Sequence, residues 1–423
     1  MAYKQIKLKN GLRLILVPVK GTQSVATLAL CKVGSRFETK KISGASHFIE
    51  HLMFKGTERR PTTLDLSREL DSIGAEFNAA TSKDWTGYHI KSSSNHLELS
   101  LDILSDMLWN SKFEPEEFKR EKGVIIEEIN MYEDNPLFYI DDLIEQVMFP
   151  GNTLGWEIAG TRGIIRNMKR SDLVKYRNTY YQPKNMVLII AGNFKRGEAL
   201  ANKYFGNLKP KIKERPRPFK KFISHKASSR PRCEIKYKNT EQVHLAVGFP
   251  GLCYEDKQMP IMQIMHIILG ASMSSRLFIA IRERQGLAYY VRSSVDSYED
   301  TGIFTIKSGL DIKRVDKAVE ILKKEIEKFK KEGITAEELK RAKDFAKGKI
   351  ALALEDSFQL AEFYGRQGLL YKSVKTPREK LAALNRVKAE DVRRLAEKTL
   401  DWNRAGVAVI GPFKNKNAIL KYF

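Results

Sequence analysis

The chain has 423 residues, 42% hydrophobic and 30% charged, and its 74 Lys and Arg outnumber 51 Asp and Glu for a net charge of +23. That length exceeds one comfortable core and points to two domains of about 200 residues, while no stretch approaches the roughly 18 uninterrupted apolar residues of a membrane span. Cys31, Cys233 and Cys253 have no C-x-x-C spacing, which argues against a disulfide framework or a thiolate metal site and leaves them as expected small buried hydrophobes.

The first eleven residues alternate polar and apolar types and lack the apolar core of a secretory signal, so a cytoplasmic location is expected. Ile6 to Val17 and Val25 to Val33 read as short alternating strands. The pentad His47-Phe48-Ile49-Glu50-His51 follows. On a helix, residues four apart share a face, so His47 and His51 can aim ring nitrogens at one divalent ion, and this geometry suits zinc. Glu50 lies beside His51 and would overhang the metal, placed to take a proton from a bound water. An H-x-x-E-H pattern should arise by chance in fewer than roughly one chain in a hundred of this composition.

Phe77 to Ser92 reads as extended, and helices are expected from Asn95 and from Pro115. A catalytic zinc normally has three protein ligands and one open position, so the pentad requires a third ligand from elsewhere. Glu128 is the choice. It lies in Glu116 to Asp134, where Phe118, Val124, Ile125, Ile129 and Met131 recur at helical spacing. Glu121 sits two turns earlier on the same face and would orient a histidine from behind. The competitor, Glu127, points about 100° away. Met186 to Ala191 reads as a buried strand.

Residues 209–230, rich in proline and basic side chains, read as an exposed linker. The chain repeats itself on either side. Phe113-Glu-Pro-Glu-Glu-Phe-Lys-Arg returns as Ile334-Thr-Ala-Glu-Glu-Leu-Lys-Arg, a shift of 221, and Met168-Lys-Arg-Ser-Asp-Leu returns as Val387-Lys-Ala-Glu-Asp-Val, a shift of 219. This is the pattern of a tandem duplication. The expected fold class is α+β: two tandem homologous α/β domains, each an antiparallel or mixed sheet with helices packed on it. Domain 1–208 would carry the metal and domain 231–423 would not, because Glu121 and Glu128 correspond to Ala342 and Lys349. The lone His266 reads as a helix-packing residue.

The pentad, the 76 residues separating His51 from Glu128, and Glu121-Lys-Gly-Val-Ile-Ile-Glu-Glu-Ile together resemble the M16 metallopeptidases, the inverzincins typified by pitrilysin, insulin-degrading enzyme and the mitochondrial processing peptidase. The resemblance implies zinc held by His47, His51 and Glu128, one ion per chain, with Glu50 as general base. It also implies an arginine and tyrosine seven apart in the second domain, matched here by Arg282 and Tyr289, which would stabilise the oxyanion of a peptide being cleaved. Strand alternation lets only one of Tyr289 and Tyr290 face a site. The segment from Phe77 resembles the family's substrate-binding edge strand, with Asn78, Ala79 and Ala80 as peptide contacts. Four such domains enclose a chamber in the family, so a two-domain chain implies a homodimer, or a heterodimer with an inactive paralogue.

The expected function is a zinc endopeptidase for peptides or unfolded segments. A noncatalytic partner or structural subunit is the alternative, and a basic polyanion binder the remote one. Lys and Glu alternate along segments such as Lys313 to Lys331, so much of the charge reads as solvated helix faces, and nucleic acid is not an expected partner.

Overall fold

The computed structural model describes residues 3–224 and 227–423, so His225 and Lys226 of the expected linker lie outside the described residues. The chain forms two compact units, one of Met1–Asn130, Trp156–Lys220 and Ile350–Pro377, the other of Met131–Gly155, Lys221–Lys349 and Arg378–Phe423.

The first unit is built on a six-stranded sheet from β1 (Lys4–Lys7), β2 (Arg13–Pro18), β3 (Ser24–Cys31), β4 (Glu76–Thr81), β5 (Thr86–Ser93) and β6 (Met186–Gly192), in the order β1-β2-β6-β3-β5-β4. Ile6 to Val17, expected as one strand, is a hairpin of β1 and β2, because Gly11 at φ +91° reverses the chain between them. β2 and β6 run parallel and the remaining pairs antiparallel, which makes the sheet mixed. All seven residues of β6 are buried, as its unbroken apolar run requires. β4 alternates exposed and half-buried residues and pairs only with β5, leaving its outer edge unpaired among the described residues.

The second unit holds a five-stranded sheet of β7 (Arg232–Tyr237), β8 (Gln242–Pro250), β9 (Ala288–Ser297), β10 (Gly302–Asp311) and β11 (Gly406–Gly411), in the order β7-β11-β8-β10-β9. Its strands repeat β2-β6-β3-β5-β4 position by position, including the parallel pair β7 and β11. The duplication read from short sequence matches is therefore a duplication of topology.

Each unit takes one helix from the opposite half of the chain. Helix Pro136–Met148 packs against β11, β8 and β7 of the second sheet, with Ile140, Leu143 and Ile144 meeting Ala246, Ala408 and Ile410. Its counterpart, Ser357–Leu370, packs on β3, β6 and β2 of the first sheet. The close approach depends on small residues: a Cβ on Gly365 would lie 2.7 Å from Ile189 Cδ1, and one on Gly368 would lie 2.4 Å from Ile15 Cδ1. Each fully buried Leu or Ile contributes about 1.5–3 kcal/mol relative to exposure, so either helix is held chiefly by its borrowed sheet.

Among the cysteines, Cys31 is fully buried as expected, whereas Cys233 and Cys253 are only half-buried, at a strand edge and in the loop after β8. Trp85 belongs to the core, 8% exposed. No helix among the described residues is long and apolar enough to cross a membrane.

Candidate metal centre

The pentad lies on helix Ala45–Met53 of the first unit. Phe48, Ile49, Leu52 and Met53 are buried in the core, which turns His47, Glu50 and His51 to the opposite face. The start of this helix is fixed by an unusual cap. Gly44 takes φ +94°, and a Cβ there would sit 2.5 Å from the Ala159 carbonyl, so only glycine fits. Glu38, 5% exposed, accepts the backbone N–H of Gly44 at Oε2 and of Ser46 at Oε1, both at 2.7 Å. Its carboxylate meets two donors that the helix itself leaves free. Burial nevertheless pushes the Glu38 carboxyl up to about 8 against these donors.

Glu128 comes from helix Pro115–Asp134. Its Oε2 lies 3.6 Å from His47 Nε2 and 3.4 Å from His51 Nε2, and one donor atom from each of the three residues falls within 4.8 Å of the other two. Two imidazole nitrogens and one carboxylate oxygen so placed fit the N,N,O donor set of a catalytic zinc with an open position. The buried His47 Nδ1 has no hydrogen-bond partner among the described residues. Glu127, the competitor, is exposed and accepts a bond from Asn130 Nδ2 at 3.3 Å.

Behind the histidines, Glu121 is 1% exposed. Its Oε2 meets His51 Nδ1 at 3.0 Å, and its Oε1 meets Lys55 Nζ at 2.6 Å. This contact leaves His51 Nε2 to face Glu128, the arrangement by which a carboxylate sets the tautomer of a ligating histidine. The two histidines sit in opposed fields. Burial and the neighbouring His51 push His47 down to about 4. Burial opposes the charge on His51 as well, but bonds to Glu121 and Glu128 outweigh it and hold that ring up to about 9. The bond from His51 keeps Glu128 below the usual carboxylate range.

Glu50 is drawn upward by burial, and the Thr81 hydroxyl, which donates to Glu50 Oε2, opposes that shift. Thr81 ends the edge strand β4, so the strand offered as a peptide platform also contacts the expected base. On that strand Asn78 and Ala80 are exposed and Ala79 half-buried, and Asn78 Oδ1 accepts the Ala79 N–H at 2.9 Å. Arg282 and Tyr289 are placed in the second unit, at a π-helical turn (Phe278–Glu283) and the start of β9. Both are exposed, Tyr289 by 73%, and the guanidinium lies 5.8 Å from the Tyr289 ring centre. Tyr290 faces the other way, its hydroxyl 3.2 Å from His244 Nδ1.

Three contributors escaped the sequence reading. Lys55 follows His51 by one turn, a spacing that could have shown it. Thr81 carried only the weak signal of alternation along a strand. Nothing local marked Glu38, which comes to the helix start through a loop.

Fold and donor set together define a duplicated α+β scaffold with a candidate N,N,O metal site. Residues 14–162 match the model of the insulinase family, peptidase family M16, and residues 167–345 match that of the M16 inactive domain. The chain is 35% identical to an uncharacterized zinc protease of Bacillus subtilis over 97% of its own length and 99% of the relative's. It is 33% identical to another of Streptomyces coelicolor, with 98% and 91% covered. Among solved structures, a protease from Helicobacter pylori superposes with a TM-score of 0.91 at 24% identity, covering 97% of this chain and 99% of that one. An M16 inactive-domain structure from Pseudomonas fluorescens gives 0.89 at 17% identity, over 98% and 99% of the two chains. The chain belongs to peptidase family M16.

Proposed function

We propose that this protein is a zinc-dependent endopeptidase acting on peptides or unfolded segments, with one zinc per chain held by His47, His51 and Glu128. The observation that carries the proposal is the convergence of His47 Nε2 and His51 Nε2 on a single Glu128 oxygen, at 3.6 and 3.4 Å. Zinc bound there would polarise the scissile carbonyl and acidify a water. Glu50 accepts the water proton and returns it to the leaving amine, a task suited to a carboxyl that burial has raised. Glu121 keeps His51 in the tautomer that presents Nε2.

The free edge of β4 supports a peptide added as an extra strand, through main-chain bonds that make little demand on side chains. In this reading Asn78, Ala79 and Ala80 contact the substrate backbone. Arg282 and Tyr289 supply a cation and a phenol for the oxyanion, and their exposure suits groups that act on another protomer's site. Catalysis then takes place in a chamber formed by two chains, most simply a cytoplasmic homodimer, with a heterodimer containing an inactive paralogue as the variant. An active species of monomer mass in analytical ultracentrifugation would refute the chamber.

The test is metal analysis of the purified protein together with cleavage of a quenched peptide library by wild type and Glu50→Gln. One zinc per chain in both proteins is expected, with at least a hundredfold loss of cleavage in the variant. Turnover by Glu50→Gln near the wild-type rate would overturn the assignment. A zinc-free wild type that cleaves nothing would favour the noncatalytic subunit.

A further inference from the structure

The second unit contains a cleft of about 470 Å³ at the end of its sheet, remote in sequence from the pentad and used by none of the chemistry above. Arg230, Arg232 and Arg404 line it together with Asp256, Asp300 and the aromatic Phe149. None of the three arginines has a carboxylate partner among the described residues. Arg404 Nη2 donates to the Ser224 hydroxyl at 2.8 Å, while Arg232 Nε is buried without an acceptor among the described residues. A buried guanidinium nitrogen left unpaired is costly, and in native folds such a group commonly awaits a water or ligand.

The cleft also carries the opposite charge. Asp256 Oδ1 accepts the Gln258 N–H and Asp300 Oδ2 the Phe222 N–H, both at 2.8 Å, which leaves the second oxygen of Asp256 outside this bond. Phe149 and Phe222 meet edge to face, with ring centres 5.0 Å apart, and give the cleft an apolar side. A polyphosphate would gain from the arginines and be repelled by the aspartates. A zwitterion satisfies both. The volume falls at the smaller end of the roughly 300–1,000 Å³ of small-ligand pockets, enough for a few residues of peptide.

We propose that this cleft binds short peptides through their two free termini, the carboxylate on Arg230 and Arg232, the ammonium at Asp256, and an apolar side chain against Phe149 and Phe222. A planar guanidinium fork matches a terminal carboxylate in a bidentate manner. Peptides of this class are also what the proposed peptidase would release, but binding here requires no catalysis.

The experiment is calorimetric titration of the zinc-loaded Glu50→Gln protein with the dipeptide Leu-Phe, its carboxyl amide, its N-acetyl form and tripolyphosphate. Saturable binding of Leu-Phe with Kd below about 1 mM is expected, weakened at least tenfold by amidation or acetylation. Arg230→Gln, at an exposed position, should fold as the parent does by circular dichroism and bind at least tenfold more weakly. Adding Arg232→Gln should abolish binding, and Asp256→Asn should weaken the dipeptide without affecting the acetylated form. No saturable binding, equal binding of the amide, or binding indifferent to the arginine variants would overturn the inference. Tripolyphosphate bound more tightly than the dipeptide, in an Arg232-dependent way, would replace it with an anion site. Peptide cleavage by wild type alongside any of these failures would leave the proposed peptidase standing.

Discussion

Replacing Glu121 by glutamine tests the support behind the metal centre, because both carboxylate oxygens are already engaged. One meets His51 Nδ1 at 3.0 Å and the other Lys55 Nζ at 2.6 Å. Glutamine keeps the shape but makes one end an NH₂ donor, which must face either the imidazole N–H or the ammonium. It also removes the anion, leaving Lys55 charged with its side chain 23% exposed. Losing a carboxylate of this kind typically weakens metal binding ten- to a hundredfold, equivalent to about 1.4–2.7 kcal/mol. The metal-free protein should lose about 1–3 kcal/mol of stability from the unsatisfied buried donor. The assay is zinc competition against a chromophoric chelator at fixed pH, with denaturant unfolding of the apoprotein alongside. Zinc affinity within twofold of wild type would show that His51 is oriented by something other than Glu121.

Two further perturbations address the scaffold. Glu38 is held up to about 8 by burial, against an ordinary value near 4.5, so the folded protein retains a proton that the unfolded chain has released. Its contribution to stability is complete below about pH 4.5 and is lost as pH rises through about 8. Between pH 6 and 9, apoprotein stability should decline in wild type and decline less in Glu38→Gln; equal slopes in urea unfolding would contradict this account. Gly365→Leu places a side chain where Ile189 Cδ1 lies 2.7 Å and Leu30 Cδ1 3.1 Å from the added Cβ. Such overpacking costs about 1–3 kcal/mol, and lost hydrogen-exchange protection should appear in β3 and β6, more than a hundred residues away in sequence. Undiminished protection in those strands would mean that the helix does not hold their sheet.

The chemistry of this chain is unusually local. His47, Glu50 and His51 occupy little more than one turn, so helical geometry and the number of ligands a catalytic zinc requires lead from the sequence to a search for one distant carboxylate. Facing arguments on a single helix then separate Glu128 from Glu127. The same logic reads Met186 to Ala191 as a buried strand and the two halves as copies, since periodicity and offset are properties of the chain alone.

Periodicity cannot say which sheet a helix covers. The apolar face of Pro136–Met148 suits either sheet, and only the packing of Ile140 and Leu143 against Ala246 and Ala408 assigns it to the second unit, as Gly365 and Gly368 assign its counterpart to the first. Glu38, Thr81 and the arginines lining the cleft of the second unit likewise matter through neighbours far away in sequence. Charge and spacing along the chain determined which groups can do chemistry, whereas burial and long-range hydrogen bonds, which exist only once the chain is folded, decided how each of them is held and at what protonation.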